Sequence, residues 1–246
     1  MEADLAQVFA TARELQVGHM LCVSVDIESF PGILDLANRY ENVFASTGVH
    51  PNTETTNEPS VDDLAKLADD PEVVAIGETG LDYYRSTGDL EWQRDRFRNH
   101  IRAAKEIKKP LIIHSREASA DLLQIMKEEG ASEAGGVMHC FVDDWQTAQA
   151  AMEMNFYISF SGIVTFKNAR EVQDVAKQVP INRLLVETDS PYLTPIPYRG
   201  KPNQPAYVYY VAQFLAELRG DGFDDIATHT TDNFFTLFSQ AKVINT

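Results

Sequence analysis

Runs of apolar residues alternate with amphipathic stretches along most of this chain of 246 residues. The opening stretch, residues 2–16, carries apolar residues at helical spacing, for example Leu5, Val8, Ala12 and Leu15. A short apolar run follows, and the two patterns then repeat through the sequence. The repetition predicts helices and strands that follow one another in turn, which is the pattern of an α/β protein.

The apolar runs predict seven β-strands, near residues 20 to 25, 42 to 48, 73 to 78, 110 to 114, 135 to 140, 156 to 161 and 184 to 189. These runs do not alternate strictly between apolar and polar positions, as is usual when helices cover both faces of a parallel sheet. Helical segments around 206 to 219 and 230 to 240 close the chain. The order predicts a TIM-type (β/α) barrel.

Such a barrel has eight strands, whereas the pattern yields seven. The opening helix has no strand before it, so we expect the first strand of the barrel to be missing from this chain. No linker rich in proline, glycine or serine divides the sequence, and residues 1–246 are therefore predicted to form one barrel domain.

Composition agrees with a globular protein, since 44% of the residues are hydrophobic and 24% are charged. We expect a cytoplasmic protein without a membrane span or signal peptide, because no long apolar run and no basic leader are found. We infer no stable protein partner. Cys22 and Cys140 lie in apolar, strand-like runs and are expected to be free thiols. The net charge of -16 opposes non-specific attraction to a polyanion, so a nucleic-acid substrate requires local cations or metal ions.

A histidine or a carboxylate ends each of five apolar runs: His50, Glu78, His114, His139 and Asp189. In a parallel barrel the groups at the carboxyl ends of the strands converge on one mouth. Two histidines and two carboxylates suit a divalent metal, so we expect Glu78, His114, His139 and Asp189 to bind one. For His50 alone, a structural role is equally plausible.

Further polar residues follow the same runs. Glu187 precedes Asp189 by two positions on the same face of the strand, where it either orients a metal ligand or is a buried structural carboxylate. Arginine suits phosphate through its bidentate donors, and tyrosine can stack on bases. The predicted substrate-binding residues are Arg116, Arg199, Lys201, Asn203, His50 and Tyr83.

Several long motifs carry a resemblance to a known family: GETGLDYYR, PLIIHSR, GVMHCF, YISFSGIVTFKNA and LLVETDSPYLTPIPYRGKPNQPAYV. Together they resemble the TatD family of metal-dependent deoxyribonucleases, within the amidohydrolase-like barrels, from about residue 5 to residue 240. The resemblance implies that Glu78 bridges two metal ions and that His114 and His139 complete the second site. It also implies that Asp189 binds the first metal or holds the attacking water.

The family also carries an N-terminal H-x-H-x-D motif, which supplies two histidines to the first metal. This sequence does not contain the motif, and its opening helix corresponds to the helix that follows it. A start assigned too late, a lost strand and a protein reduced to one metal are three explanations; we favour the first, because every other ligand is present. We expect the second site to bind metal and the first to be weakened.

The resemblance implies a hydrolase that cleaves phosphodiester bonds of DNA, as an exonuclease on single-stranded or damaged ends, with Asp189 and Glu78 as catalytic residues. The expected cofactor is a divalent metal, magnesium in the first place and manganese or zinc as alternatives, with up to two ions. Two other functions stay open. One is metal-dependent hydrolysis of an ester or small molecule, such as an aminoacyl-tRNA ester. The other is a metal-deficient, non-catalytic binding protein.

Overall fold

The structure is a computed structural model and describes residues 5–243. Its strands are β1 (Met20–Cys22), β2 (Val43–Thr47), β3 (Val73–Asp82), β4 (Leu111–Arg116), β5 (Gly136–Met138), β6 (Phe156–Phe160) and β7 (Leu184–Val186). Its α-helices are α1 (Leu5–Glu14), α2 (Phe30–Arg39), α3 (Val61–Leu67), α4 (Glu91–Ile107), α5 (Ser119–Glu128), α6 (Trp145–Glu153), α7 (Arg170–Gln178), α8 (Val208–Arg219) and α9 (Phe223–Leu237). The start predicted for the first helix, residues 2–4, lies outside the described residues. None of these helices combines the length and apolar character that crossing a bilayer requires.

The seven strands form one parallel sheet in chain order, from β1 at one edge to β7 at the other. The predicted α/β architecture is confirmed as a curled half-barrel with helices between consecutive strands. Within residues 5–243, β1 and β7 are not hydrogen-bonded to each other. A cavity of about 640 Å³ lies at this seam, between Val17, Gly18 and His19 before β1 and Leu185 and Val186 of β7.

The two faces of the sheet carry separate apolar clusters. Ile113 of β4 packs outward beneath the helices. Ile112 of β4 and Val137 of β5 pack on the other face together with Phe238, which follows α9. Because side chains alternate along a strand, His114 lies on the same face as Ile112, and His139 on the same face as Val137. The inner apolar layer therefore has polar side chains directly above it.

The strand ends differ from the sequence prediction at several places. β3 was expected to end near Glu78, but it continues to Asp82, because Gly80 pairs with His114 and Asp82 pairs with Arg116 on β4. In contrast, β7 ends at Val186, so that Asp189 lies in the following loop. Glu78 is thus held inside a strand.

Two further predictions need correction. Cys140 lies beyond β5 rather than within a strand, and its φ of 46° marks a turn. Both cysteines are free, as predicted, but they are half-buried. The last helix was expected at 230 to 240 and is found at Phe223–Leu237. Asp224 and Asp225 in its first turn favour this earlier start through the helix dipole.

Gly80 is required where β3 passes closest to β4. Its φ is +135°, and a Cβ atom at this position would lie 2.0 Å from the carbonyl oxygen of His114. We predict that Gly80→Ala lowers the free energy of unfolding by about 2 kcal/mol or more, through backbone strain and overpacking. Denaturant titration measures this change.

Gly88→Ala is the matched control. Gly88 also has a positive φ, +90°, but no atom lies within 4 Å of the position of an added Cβ. This variant should lose about 1 kcal/mol, from backbone strain alone. Equal losses in the two variants would contradict the importance of the close contact with His114.

Candidate metal centre

Three imidazole rings lie close to one carboxylate oxygen, Oε1 of Glu78. Glu78 is 7% exposed on β3. Its Oε1 lies 3.0 Å from Nδ1 of His114, 3.5 Å from Nε2 of His50 and 3.7 Å from Nε2 of His139. His114 lies on β4, and His50 and His139 follow β2 and β5, so the carboxyl ends of separate strands bring the three imidazoles together.

Asp189 approaches the same group from the loop after β7. Its Oδ1 lies 3.8 Å from Nε2 of His139. Asp189 has a φ of 56°, a left-handed conformation that is costly for a residue with a Cβ. The structure thus gathers all four residues predicted as metal ligands, Glu78, His114, His139 and Asp189.

Asn203 holds the loop that carries Asp189. Its side-chain Nδ2 donates to the carbonyl oxygens of Thr188, at 2.8 Å, and Tyr192, at 2.6 Å. Its backbone N–H donates to the carbonyl of Pro191 at 3.0 Å. Asn203 is 6% exposed. Its amide donors are occupied by carbonyl oxygens of this loop, so Asn203 supports the loop, and its substrate-binding role stays a prediction.

A carboxylate lies behind each of two histidines, a buried one in one case and a half-buried one in the other. Nε2 of His114 is 3.3 Å from Oδ2 of Asp82, and Nδ1 of His139 is 2.9 Å from Oε1 of Glu187. In metal sites, such a partner fixes the ring orientation and makes the other ring nitrogen a better ligand. Of the two roles left open for Glu187, the structure favours the orienting one.

Asp82 is missing from the sequence prediction. It is 1% exposed, and it also accepts hydrogen bonds from Nδ2 of Asn52 and the backbone N–H of Arg85. The signal was present, because Asp82 lies four residues after Glu78 and therefore on the same face of a strand. It was missed because β3 was expected to end at Glu78.

His50 lies where a metal ligand could lie, but its hydrogen bonds indicate that the ring nitrogen facing Glu78 is a hydrogen-bond donor. Its ligating atom lies within 4.8 Å of those of Glu78 and His114. However, the backbone N–H of Asn52 donates to Nδ1 of His50 at 3.0 Å. In the neutral ring the proton then resides on Nε2, which faces Glu78. The tautomer favours hydrogen-bond donation over metal binding by His50.

The neighbouring charged groups shift the pKa values of Glu78 and His139 in opposite directions. Burial favours neutral Glu78, but the charge of His139 and the hydrogen bond from His114 outweigh it and lower the pKa of Glu78 to about 2. Burial also opposes a charged His139, yet the charges of Glu187 and Glu78 prevail and raise its pKa to about 10. Without a metal, a proton on His139 thus offsets part of the negative charge of the carboxylates around it.

Asp189 and His50 respond mainly to burial. Burial raises the pKa of Asp189 to about 6, although the charge of His139 opposes this shift. Burial lowers the pKa of His50 to about 4, so that its ring is neutral at physiological pH. The two groups can therefore accept and donate hydrogen bonds, respectively, near pH 7.

The donor set fits a divalent cation. Imidazole nitrogens and carboxylate oxygens converge on Glu78, and a proton on His139 supplies the positive charge that a cation would provide. Cys140 takes no part, because its Sγ lies 3.1 Å from Oγ of Ser161. The residues present thus fit a site for magnesium, manganese or zinc ions.

The predicted substrate-binding cations are held against aromatic rings. Arg116 lies 3.9 Å from the ring centre of Tyr84, and Arg199 lies 3.5 Å from that of Phe166. Lys201 lies 5.5 Å from the ring centre of Tyr198. Arg116 is the last residue of β4, and Arg199 and Lys201 lie in the segment between β7 and α8.

Tyr83 is placed differently from its neighbour Tyr84. Its hydroxyl donates to Asp121 of α5 at 2.8 Å and accepts from Nε of Arg94 of α4 at 2.9 Å. Tyr83 is packed against the helix layer, and its substrate-binding role stays a prediction. Tyr84 is 57% exposed and is the tyrosine of this pair that is available to solvent.

Metal affinity should rise with pH, because a metal ion must displace the proton on His139. We predict that the affinity for Mn²⁺ increases by about tenfold per pH unit between pH 6.5 and 9, below the raised pKa of His139. Titration of the apoprotein followed by electron paramagnetic resonance measures it.

Glu187→Gln is the control for this pH dependence. Removing the charge of Glu187 lowers the pKa of His139. The pH range in which the Mn²⁺ affinity rises should therefore lie lower in this variant. An affinity that is constant over this range in the unsubstituted protein would show that metal binding displaces no proton.

Comparison with known proteins gives a consistent family. The family model described as TatD related DNase matches residues 1–239. The protein named "Uncharacterized metal-dependent hydrolase YcfH", from Escherichia coli K12, is 46% identical over 239 residues, which are 97% of this chain and 89% of YcfH. The protein named "3'-5' ssDNA/RNA exonuclease TatD", from Salmonella typhimurium, is 33% identical over 241 residues, covering 96% of this chain and 93% of that protein.

A solved structure agrees with these sequences. The crystal structure of YJJV, a TatD homolog from Escherichia coli K12, matches this fold with a TM-score of 0.87 and 30% identity, over 96% of this chain and 92% of that one. The match spans the strands that carry Glu78, His114 and His139. The chain therefore belongs to the TatD family of metal-dependent hydrolases.

Proposed function

We propose that the protein is a metal-dependent deoxyribonuclease that hydrolyses phosphodiester bonds at single-stranded or damaged DNA ends, with magnesium as its preferred ion. The observation that carries the proposal is the convergence of His114, His139 and Asp189 around the buried carboxylate of Glu78. The name of the Salmonella relative, an exonuclease on single-stranded DNA and RNA, supports this choice of substrate.

Glu78, His114, His139 and Asp189 are the residues that would hold the metal. When bound, a divalent cation supplies Lewis-acid charge to the phosphate and lowers the pKa of water. The protein's own groups position the ligands: Asp82 supports the ring of His114, and Glu187 that of His139. The resulting centre is rigid, since its ligands need no rearrangement to converge.

Asp189 is suited to receive the proton of the attacking water. A general base works best when its pKa lies near the working pH, and burial raises the pKa of Asp189 to about 6. Above pH 6 its carboxylate is ionised and can accept a proton. The hydrogen bonds from Asn203 to both sides of Asp189 hold this carboxylate at the centre.

His50 supplies a hydrogen bond to the phosphate. Its proton resides on Nε2, on the side of Glu78, while Nδ1 accepts from Asn52. A neutral donor directed at a developing negative charge stabilises the transition state without losing a proton to bulk water. This role agrees with the substrate-binding function expected for His50.

The cations of the mouth complement the phosphates. Within residues 5–243, no carboxylate lies within ion-pair distance of Arg116, Arg199 or Lys201. These three charges create a local positive region in a chain of net charge -16. Few phosphate contacts imply modest affinity that falls as salt concentration rises.

A direct assay tests the proposal. The purified protein is incubated with magnesium or manganese and end-labelled single-stranded DNA, in parallel with a set of esters that includes an aminoacyl ester. We expect metal-dependent release of nucleotides. Ester turnover without release of nucleotides would favour the small-molecule hydrolase, and absence of both metal binding and activity would favour a binding protein.

Asp189→Asn should separate catalysis from binding. We predict a fall in kcat of about 10²- to 10⁴-fold with little change in KM, because the amide cannot accept the proton. Asp174→Asn, an exposed residue of α7 paired with Lys177, is the control and should keep full activity. Full activity in the Asp189→Asn variant would remove Asp189 from the mechanism.

His50→Ala distinguishes a donor from a metal ligand. We predict a loss in kcat of about a hundredfold, typical for one lost transition-state donor, with unchanged Mn²⁺ affinity. His50→Gln, which can restore an N–H donor, should recover part of this loss. Loss of metal binding in His50→Ala would assign His50 to the metal instead. His139→Ala is the reference variant that should lose metal.

A further inference from the structure

Exposed apolar side chains are concentrated around the mouth of the half-barrel. The large hydrophobic residues that are exposed in the described chain are Val25, Tyr84, Trp92, Val142, Tyr192, Ile196 and Val243. Five of these seven, all but Trp92 and Val243, lie in loops that directly follow β1, β3, β5 and β7. Apolar groups exposed together beside a polar site are typical of a binding surface.

Tyr84 differs from the other four of these loop residues in having a cation on one face of its ring. The guanidinium carbon of Arg116 lies 3.9 Å from the ring centre, while 57% of the Tyr84 surface stays exposed. The Arg116 guanidinium has no hydrogen bond or ion pair to another residue within residues 5–243. The pair thus offers an open aromatic surface together with free hydrogen-bond donors.

Arg116 has no carboxylate partner within residues 5–243. The sequence has 37 acidic residues against 21 lysines and arginines. Two arginines of α4 show the contrasting arrangement, since Arg94 and Arg98 both contact Glu91. Arg116 instead faces a ring and solvent, so its charge is available to an anionic ligand.

The pair is also close to the metal centre. Arg116 follows His114 by two residues on β4, about 6.6 Å along the strand, and is the register partner of Asp82. Tyr84 follows Asp82 by two residues. A nucleotide whose phosphate lies at the centre would therefore have its own base, or that of its neighbour, within reach of Tyr84.

We propose that Tyr84 and Arg116 form a nucleobase subsite, in which a base beside the scissile phosphate stacks on Tyr84 while Arg116 contacts the phosphate backbone. The inference rests on the proposed function and specifies its substrate. Stacking requires a base that is free of its duplex neighbours, so the substrate must be single-stranded at this point. Every base has an aromatic face, so the subsite tolerates any sequence.

Binding in the absence of hydrolysis tests the subsite. Fluorescence anisotropy with EDTA present compares a labelled single-stranded oligonucleotide with the same backbone carrying abasic sites. We expect Tyr84→Ala to weaken binding of the normal oligonucleotide by about tenfold. Tyr84→Phe should bind as tightly as the unsubstituted protein, and the abasic strand should bind equally to all three.

Two further variants sharpen the result. Arg116→Lys keeps the charge but loses the planar group, so we expect weaker binding of the normal strand. Tyr40→Ala is the matched control, because Arg39 lies 5.6 Å from the ring centre of Tyr40 at the opposite end of the sheet. This variant should bind both strands normally.

The outcomes separate the two proposals. Equal affinity of Tyr84→Ala and the unsubstituted protein for the normal strand overturns the subsite, as does an equal loss for the abasic strand. A loss confined to the normal strand, in a protein that cleaves no DNA with any metal, supports the subsite and rejects the nuclease. Thermal unfolding of each variant ensures that a loss of binding is not a loss of fold.

Discussion

The central constraint on this molecule is electrostatic: Glu78, a buried carboxylate, must be surrounded by groups that compensate its charge. Burying an isolated carboxylate would cost several kcal/mol, so the surrounding imidazoles are required for stability as well as for chemistry. His114 lies 3.0 Å from Glu78 and His139 lies 3.7 Å from it. Protons hold this arrangement together in the absence of an ion, and a divalent cation is suited to replace them.

The fold supports this arrangement through ordinary strand geometry and a few special contacts. The inner face of the sheet carries an apolar layer and, two residues further along each strand, the polar layer. Gly80 lets β3 approach the carbonyl of His114. His100, fully buried on α4, accepts a hydrogen bond from the backbone of Val49 and so fixes the end of β2 just before His50. Asn203 has the same function for the loop of Asp189.

Charge is distributed in a way that suits the proposed polyanionic substrate, although the chain as a whole is acidic. Helix arginines such as Arg94 and Arg98 are neutralised by Glu91. The mouth cations Arg116 and Arg199 lie instead on the rings of Tyr84 and Phe166. Aromatic rings hold a cation in position without cancelling its charge, which leaves that charge available for phosphate. The acidic remainder of the surface would then discourage long polyanions and favour short strand ends.

The sequence by itself determined the order of strands and helices, because apolar periodicity is a local signal. It also determined which four residues gather at the centre, because the ends of apolar runs are local signals too: Glu78, His114, His139 and Asp189. Partners distant in the chain decided the remaining features. These are the lengths of β3 and β7, the place of Asp82, and the different surroundings of Tyr83 and Tyr84. Pairing with β4 lengthens β3, and α4 and α5 capture Tyr83. Such contacts leave no periodic trace in the sequence, so they are fixed when the sheet curls and the helices pack against it.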